Sequence, residues 1–181
     1  MKVLVLRGSP RKNGNSATLT NYFLKGLIKS NPHQIDDYFI NELNISPCQG
    51  CLSCATSKNH ECQIKDDMQN IYSAYHDADL VVFATPMYWG YMSAQLKIVM
   101  DRMEALAWEY FYDKTLVIII TYRHHFESTV GFFERIAPYF RLKLNFLICC
   151  TYDKENDLDI PVSGLKVKLE EAYQLGTLLG K

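Results

Sequence analysis

The stretch Lys2-Val3-Leu4-Val5-Leu6-Arg7-Gly8-Ser9-Pro10-Arg11-Lys12-Asn13-Gly14-Asn15-Ser16-Ala17-Thr18 changes character twice. Val3 to Leu6 is an uninterrupted β-favouring apolar run, the pattern of a strand buried on both faces. Gly8, Pro10, Asn13 and Gly14 then force the backbone out of regular structure. From Ser16, a hydroxyl suited to capping a helix, apolar residues recur at helical spacing at Leu19, Phe23, Leu24, Leu27 and Ile28. The reading is strand, loop, helix. The loop brings hydroxyls, amides and a guanidinium to a helix N-terminus, where unpaired N–H groups and the helix dipole favour a dianion.

What the loop lacks narrows the choice of phosphate. Five residues separate Gly8 from Gly14, and Asn15-Ser16 follows; a nucleoside triphosphate loop has four, followed by Lys and Ser or Thr. The dinucleotide pattern G-x-G-x-x-G is absent as well. A terminal monophosphate remains, with Ser9, Arg11, Asn15, Ser16 and Thr18 as its contacts; the competing explanation is a polar loop that merely connects two elements. The segment GSPRKNGNSAT resembles the FMN-phosphate loop of the flavodoxin-like NADPH-dependent FMN reductases and iron-sulfur flavoproteins.

Beyond this segment the chain continues to alternate strand and helix. Strands are expected at 34–40, 79–85, 115–121 and 143–150, and helices at 66–77, 93–106, around Phe132 to Phe140, and from Leu165 to Leu179. Five βα units make an α/β doubly wound parallel sheet, and the flavodoxin-like order is 2-1-3-4-5. The 181 residues are expected to form a single domain, 1–181, with a cysteine-rich loop at about 47–62. Nineteen basic against twenty acidic residues leave a net charge of −1, which provides no field for nucleic acid or for an anionic membrane. No apolar run reaches the roughly 18 residues of a membrane span, so a cytoplasmic protein with reduced thiols is expected.

In a sheet of that order the ligand lies beyond the carboxyl ends of strands one and three. The loop after the third strand, Pro86-Met87-Tyr88-Trp89-Gly90-Tyr91-Met92, supplies a rigid proline, a bare glycine and flat side chains, the walls a flavin ring requires. Core or subunit packing is the alternative use of such aromatics. The following Ser93-Ala94-Gln95-Leu96-Lys97 to Asp101-Arg102 is similar to the stretch after the isoalloxazine loop in the same family. The resemblance implies ring and ribityl contacts from Pro86, Met87, Tyr88, Trp89, Gly90 and Met92. Other users of this sheet are excluded: a response regulator needs paired acids where Gly8-Ser9 stand, and no cysteine has the arginine six residues on that a low-molecular-weight phosphatase needs.

A second signal is Cys48-x2-Cys51-x2-Cys54, closed by Cys62. Successive x2 spacings are closer to ferredoxin cluster runs than to the separated knuckles of zinc ribbons. The spacing resembles the compact motif of iron-sulfur flavoproteins, which implies a [4Fe-4S] cluster beside FMN; a plain thiol set and zinc are the alternatives. Cys149 and Cys150 end a buried strand and are read as core residues. The loop from Tyr122 to Thr129 is expected as a third wall of the site, with His124 and His125 solvated rather than metal-bound. Trp108-Glu109-Tyr110-Phe111-Tyr112 is too aromatic to face inward entirely, and an exposed patch at a homodimer contact, together with Tyr91, is expected.

The resemblance implies an FMN-dependent oxidoreductase in which NAD(P)H gives a hydride to the flavin and electrons pass to a quinone, flavin or iron-sulfur acceptor. A non-enzymatic electron-transfer flavoprotein is the other class.

Overall fold

The computed structural model describes residues 1–29 and 31–181. In chain order the elements are β1 (Lys2–Arg7), α1 (Asn15–Leu27), β2 (Gln34–Phe39), α2 (Ser53–Thr56), α3 (Met68–Asp77), β3 (Leu80–Tyr88), β4 (Tyr91–Met92), α4 (Ala94–Arg102), β5 (Thr115–Tyr122), α5 (Glu127–Phe140), β6 (Lys143–Cys150), β7 (Tyr152–Asp153), β8 (Leu158–Asp159) and α6 (Lys166–Leu179). The expected doubly wound sheet is present: β2-β1-β3-β5-β6, every neighbouring pair parallel.

The apolar runs explain its centre. Val3 to Leu6, Val81 to Phe83 and Leu116 to Ile120 are 0–1 % exposed, because helices cover both faces and alternate side chains enter opposite cores. Leu4, Leu6, Val81, Phe83, Ile118 and Ile120 pack with α3, α4 and α5; Val3, Val5, Val82, Val117, Ile119 and Cys149 pack with α1 and α6. Outer β2, carrying Asp36 and Asp37, is held partly by Arg7, whose Nε and Nη2 donate to Asp37 at 2.7 and 2.8 Å.

Three details depart from the sequence expectation. Strand β3 does not stop at Thr85: Pro86 still pairs with Thr121, and the chain returns as β4 through Trp89 and Gly90, both at positive φ (51° and 79°). Such a two-residue turn suits the twist of a hairpin, at a steric cost for a tryptophan. Helix α1 begins at Asn15, so Ser16 lies in its first turn and the N-cap is Gly14, with no side-chain cap. Between β6 and α6, where no element was expected, β7 and β8 form a small hairpin. Among the described residues no helix is long and apolar enough to cross a membrane.

Helices α1 and α6 touch through glycines. A Cβ on Gly26 would lie 2.0 Å from the Tyr173 carbonyl oxygen, and one on Gly176 2.0 Å from that of Phe23. These positions lack side chains because the two backbones occupy the space. Gly176→Ala is expected to destabilise the fold by roughly 1–3 kcal/mol or more through overpacking, read as a lower urea midpoint; an unchanged midpoint would show that the helices can separate freely.

Candidate active site and thiol cavity

The backbone turns sharply after β1 because Gly8 is pressed against α4. Its N–H donates to the Ala84 carbonyl at 2.8 Å, its carbonyl accepts from Ser93 Oγ at 2.5 Å, and a Cβ there would meet Leu96 Cβ at 2.8 Å. Ser93, fully buried, also donates its N–H to Thr85 Oγ1 at 3.0 Å and caps α4 by accepting from Leu96 N–H. One serine therefore ties the loop after β1 to the end of β3 and the start of α4.

This frame opens a cavity of about 600 Å³ at the carboxyl edge of the sheet, within the usual size of a small-molecule site. Ser9, Arg11, Asn13, Gly14, Asn15 and Ser16 form one end; Pro86, Met87 and Tyr88 from β3, Thr121, Tyr122 and Arg123 after β5, Thr151, and Asp159 to Pro161 form the rest. Ser9 Oγ accepts from Arg11 N–H at 3.0 Å and shapes the turn. Asn15 Oδ1 accepts from Val162 N–H at 3.0 Å, which fastens the segment after β8 to the start of α1 and leaves the amide NH2 of Asn15 as a donor. The first turn of α1, uncapped by any side chain, faces the same space.

Of the expected flavin contacts, Ser9, Arg11, Asn15, Ser16, Pro86, Met87 and Tyr88 come together here, while Thr18, Trp89, Gly90 and Met92 do not line the cavity. Thr18 Oγ1 donates to the Gly14 carbonyl at 3.2 Å. Met92 is in the core at 4 % exposure, and Trp89 is fully exposed at the hairpin tip. The hairpin is held from α5: Ser128 Oγ donates to the Gly90 carbonyl, and Thr129 Oγ1 donates to Met87 Sδ at 3.3 Å. Thus the third wall contributes Tyr122 and Arg123 directly and Ser128 and Thr129 by support. The His124 and Tyr152 rings meet at a steep angle, with centroids 4.8 Å apart.

The cysteine segment forms a separate place. Cys48, Cys51, Cys54 and Cys62 are free thiols that line one cavity of about 30 Å³ with Gln49, Leu52, Ile64, Asp101, Arg102, Glu104 and Ala105. That space equals about one water molecule. Among the described residues no three His, Cys, Asp or Glu side chains are arranged to hold a single metal ion. The Ser53 hydroxyl lowers the pKa of Cys51, whereas burial raises that of Cys54, reinforced by Glu104 and the neighbouring thiols.

Arg102 closes this segment. At 2 % exposure it donates Nη1 to the Ser46 carbonyl (2.7 Å) and Asp66 Oδ2 (2.9 Å), and Nη2 to the Ile64 carbonyl (3.1 Å) and Asp66 Oδ1 (3.2 Å). Asp66 also accepts from the amides of Ser46 and Met68. Trp108 stacks on His60 of the same segment at 5.1 Å, and His60 Nδ1 lies 2.8 Å from the Cys54 carbonyl. The aromatic run is therefore divided: Phe111 is buried against Tyr75 and Phe140, while Trp108 and Tyr110 are about half and one third exposed (48 % and 36 %). Cys149 is buried as expected, but Cys150 is half-buried beside the carbonyls of Arg123 and Tyr152.

The sequence profile of the NADPH-dependent FMN reductase family matches residues 1–130, the portion that holds the loop after β1, the cysteine segment and the β3–β4 hairpin. The chain belongs to this family. Curated relatives include an iron-sulfur flavoprotein of Archaeoglobus fulgidus, 39 % identical over 104 residues (58 % of this chain, 51 % of the relative), and one of Methanocaldococcus jannaschii, 35 % identical over 108 residues (59 % and 53 %). The alignments thus span about half the length of these relatives. Among solved structures, an azoreductase of Bacillus anthracis superposes with a TM-score of 0.78 at 13 % identity, covering 98 % of this chain and 99 % of that one. An NAD(P)H:quinone oxidoreductase of Methanothermobacter marburgensis gives 0.66 at 17 % identity, covering 98 % of each. At such identities the likeness is one of fold.

Within this FMN reductase family member, the wall residues Thr151, Asp159, Ile160 and Pro161 escaped the sequence reading because Tyr152 to Asp159 is polar and has no period. The one usable sign was Pro161 shortly before an apolar helix. For Asp66, burial favours the neutral acid, yet the hydrogen bonds from Arg102, Ser46 and Met68 outweigh it and hold its pKa below the ordinary carboxylate range. Its folded-state pKa being depressed, its contribution to stability is present above the unfolded value near 3.9 and is lost as pH falls through the folded one. Asp66→Asn is expected to cost roughly 3–5 kcal/mol at neutral pH by leaving Arg102 unpaired, with the wild-type and variant stability curves converging below about pH 4. Parallel curves down to pH 2 would show that the carboxylate charge is immaterial.

Proposed function

We propose that this chain is an FMN-dependent oxidoreductase that takes a hydride from NADH or NADPH and passes electrons to a quinone, another flavin or an iron-sulfur acceptor. The observation that carries this reading is the cavity between β1 and β3, with an uncapped helix start and Arg11 at one end and Pro86 to Tyr88 at the other, in a chain of the FMN reductase family. The first-turn amides of α1, Ser9, Ser16, the Asn15 amide and the Arg11 guanidinium would hold the phosphate. Thr18 keeps that turn in shape through Gly14. Pro86, Met87 and Tyr88 would border the ring, and Trp89, Gly90 and Met92 would act through the shape of the hairpin. Bound FMN supplies the hydride-accepting centre, and the protein supplies orientation and an open face. Arg11→Ala is expected to weaken FMN binding by roughly 1.5–3 kcal/mol, the value of a charge-assisted hydrogen bond, measured by flavin fluorescence titration; unchanged affinity removes Arg11 from the site.

The thiol cavity favours a second, one-electron function. Cys48, Cys51, Cys54 and Cys62 surround one space, and the relatives above are named iron-sulfur flavoproteins. We infer that these four thiols would hold a [4Fe-4S] cluster. The space as it stands is that of about one water molecule, while Cys48 and Cys51 are exposed and the Gln49 to Leu52 segment lies at the surface. A pure electron carrier and an enzyme separate under anaerobic mixing with NADPH or NADH: prompt bleaching of the flavin absorbance is expected of the enzyme, and flavin that bleaches only with dithionite marks the carrier.

A homodimer is part of the proposal. Tyr88 and Trp89, 44 % and fully exposed, stand beside the cavity, and Trp108 is a further exposed aromatic; such groups are enriched at subunit contacts. Sedimentation velocity at micromolar concentration is expected to give a dimer for the wild type and a shift toward monomer for Trp89→Ser; a wild-type monomer ends this part of the proposal.

A further inference from the structure

We propose that Arg102 is a positioning residue for the four-thiol site, donating its Nε–H to a sulfur of the group seated there. The inference rests on the reading of that site given above and assigns a part to a residue outside the cysteine motif.

A guanidinium has five N–H donors. Four of those of Arg102 are accounted for by Ser46, Ile64 and the two oxygens of Asp66, and the fifth, on Nε, is buried without a partner among the described residues. An unpaired buried donor costs roughly 1–3 kcal/mol, more when charged, so its persistence calls for an acceptor. Arg102 itself lines the thiol cavity. Of the cavity's charged residues, Asp101 is bound to Lys97 at 2.5 Å and Glu104 is exposed, so Arg102 brings the one positive charge to this wall. Its other contacts have a suggestive placement. Ser46 and Ile64 flank the cysteines on either side, so a single side chain ties together the two ends of the segment from Cys48 to Cys62, and its unpaired donor belongs to that same guanidinium. A sulfur-ligated iron group carries net negative charge, and hydrogen bonds to its sulfurs stabilise the more reduced state and raise its potential.

The test uses full-length protein reconstituted anaerobically with ferrous iron and sulfide. Iron and sulfide content, FMN content and the reduction potential are measured for wild type and Arg102→Lys, in which the charge and the capacity to bond Asp66 persist but the Nε–H is gone. The expected result is a lower potential in the variant at equal FMN content. A merely structural role would reduce the fraction of protein that is loaded without moving the potential of the loaded fraction. In parallel, wild-type protein labelled with 15N-arginine is reduced and inspected by pulsed EPR. Because Arg102 is the one arginine of six that lines the cavity, a 15N hyperfine coupling supports the contact whether or not the variant folds. Arg102→Lys with wild-type potential, or no 15N coupling in the labelled protein, overturns the role of Arg102 alone. Wild-type protein that takes up neither iron nor sulfide overturns the cluster reading and this role together.

Discussion

The hydroxyl of Ser93 is the point on which the site depends. Completely buried, it donates to the Gly8 carbonyl while its oxygen accepts from the Leu96 amide in the first turn of α4, and its own N–H reaches Thr85. A buried hydroxyl is expensive unless its hydrogen bonds are made, and here they are all made to backbone or side chains of the three segments that must meet. The mouth of the sheet, the bare Gly8 and the start of α4 are consequently one rigid unit. Two of the cavity's walls, the loop after β1 and the end of β3, are attached to that unit.

Helix α4 has a buried polar anchor at each end. Ser93 fixes its start against the mononucleotide-sized cavity, and Arg102, nine residues later, fixes its last turn against the cysteine segment. At 1.5 Å per residue the anchors lie about 13 Å apart along the axis. The Arg102–Asp66 pair is costly to bury, and such pairs are weak arguments for stability as such. What this pair provides is placement: it decides where a loop with few apolar residues lies relative to the sheet.

The parts of this architecture that were legible in the sequence are those written in long patterns. Val3 to Leu6 and Leu116 to Ile120 state their burial directly, and the Gly, Ser and Asn residues between β1 and α1 state a turn with donors. Parts that depend on one contact were not legible. Met92 follows a stretch whose Pro86, Met87 and Tyr88 line the cavity, but its own side chain is buried in the core. Asn15 has the look of a phosphate ligand, and half of its amide is spent on Val162, which cannot be foreseen across 147 residues. Arg102 reads as an ordinary charge at the end of an amphipathic helix, since nothing local reveals that Asp66 lies opposite it.

The glycine seam between α1 and α6 bears on how the site responds to a ligand. Where side chains interdigitate, a helix can roll by repacking rotamers; where Gly26 and Gly176 place backbone against backbone, that freedom is missing. The first turn of α1 is therefore held in one orientation before anything binds. Little conformational entropy remains to be lost there, so the affinity gained from each amide is retained nearly in full.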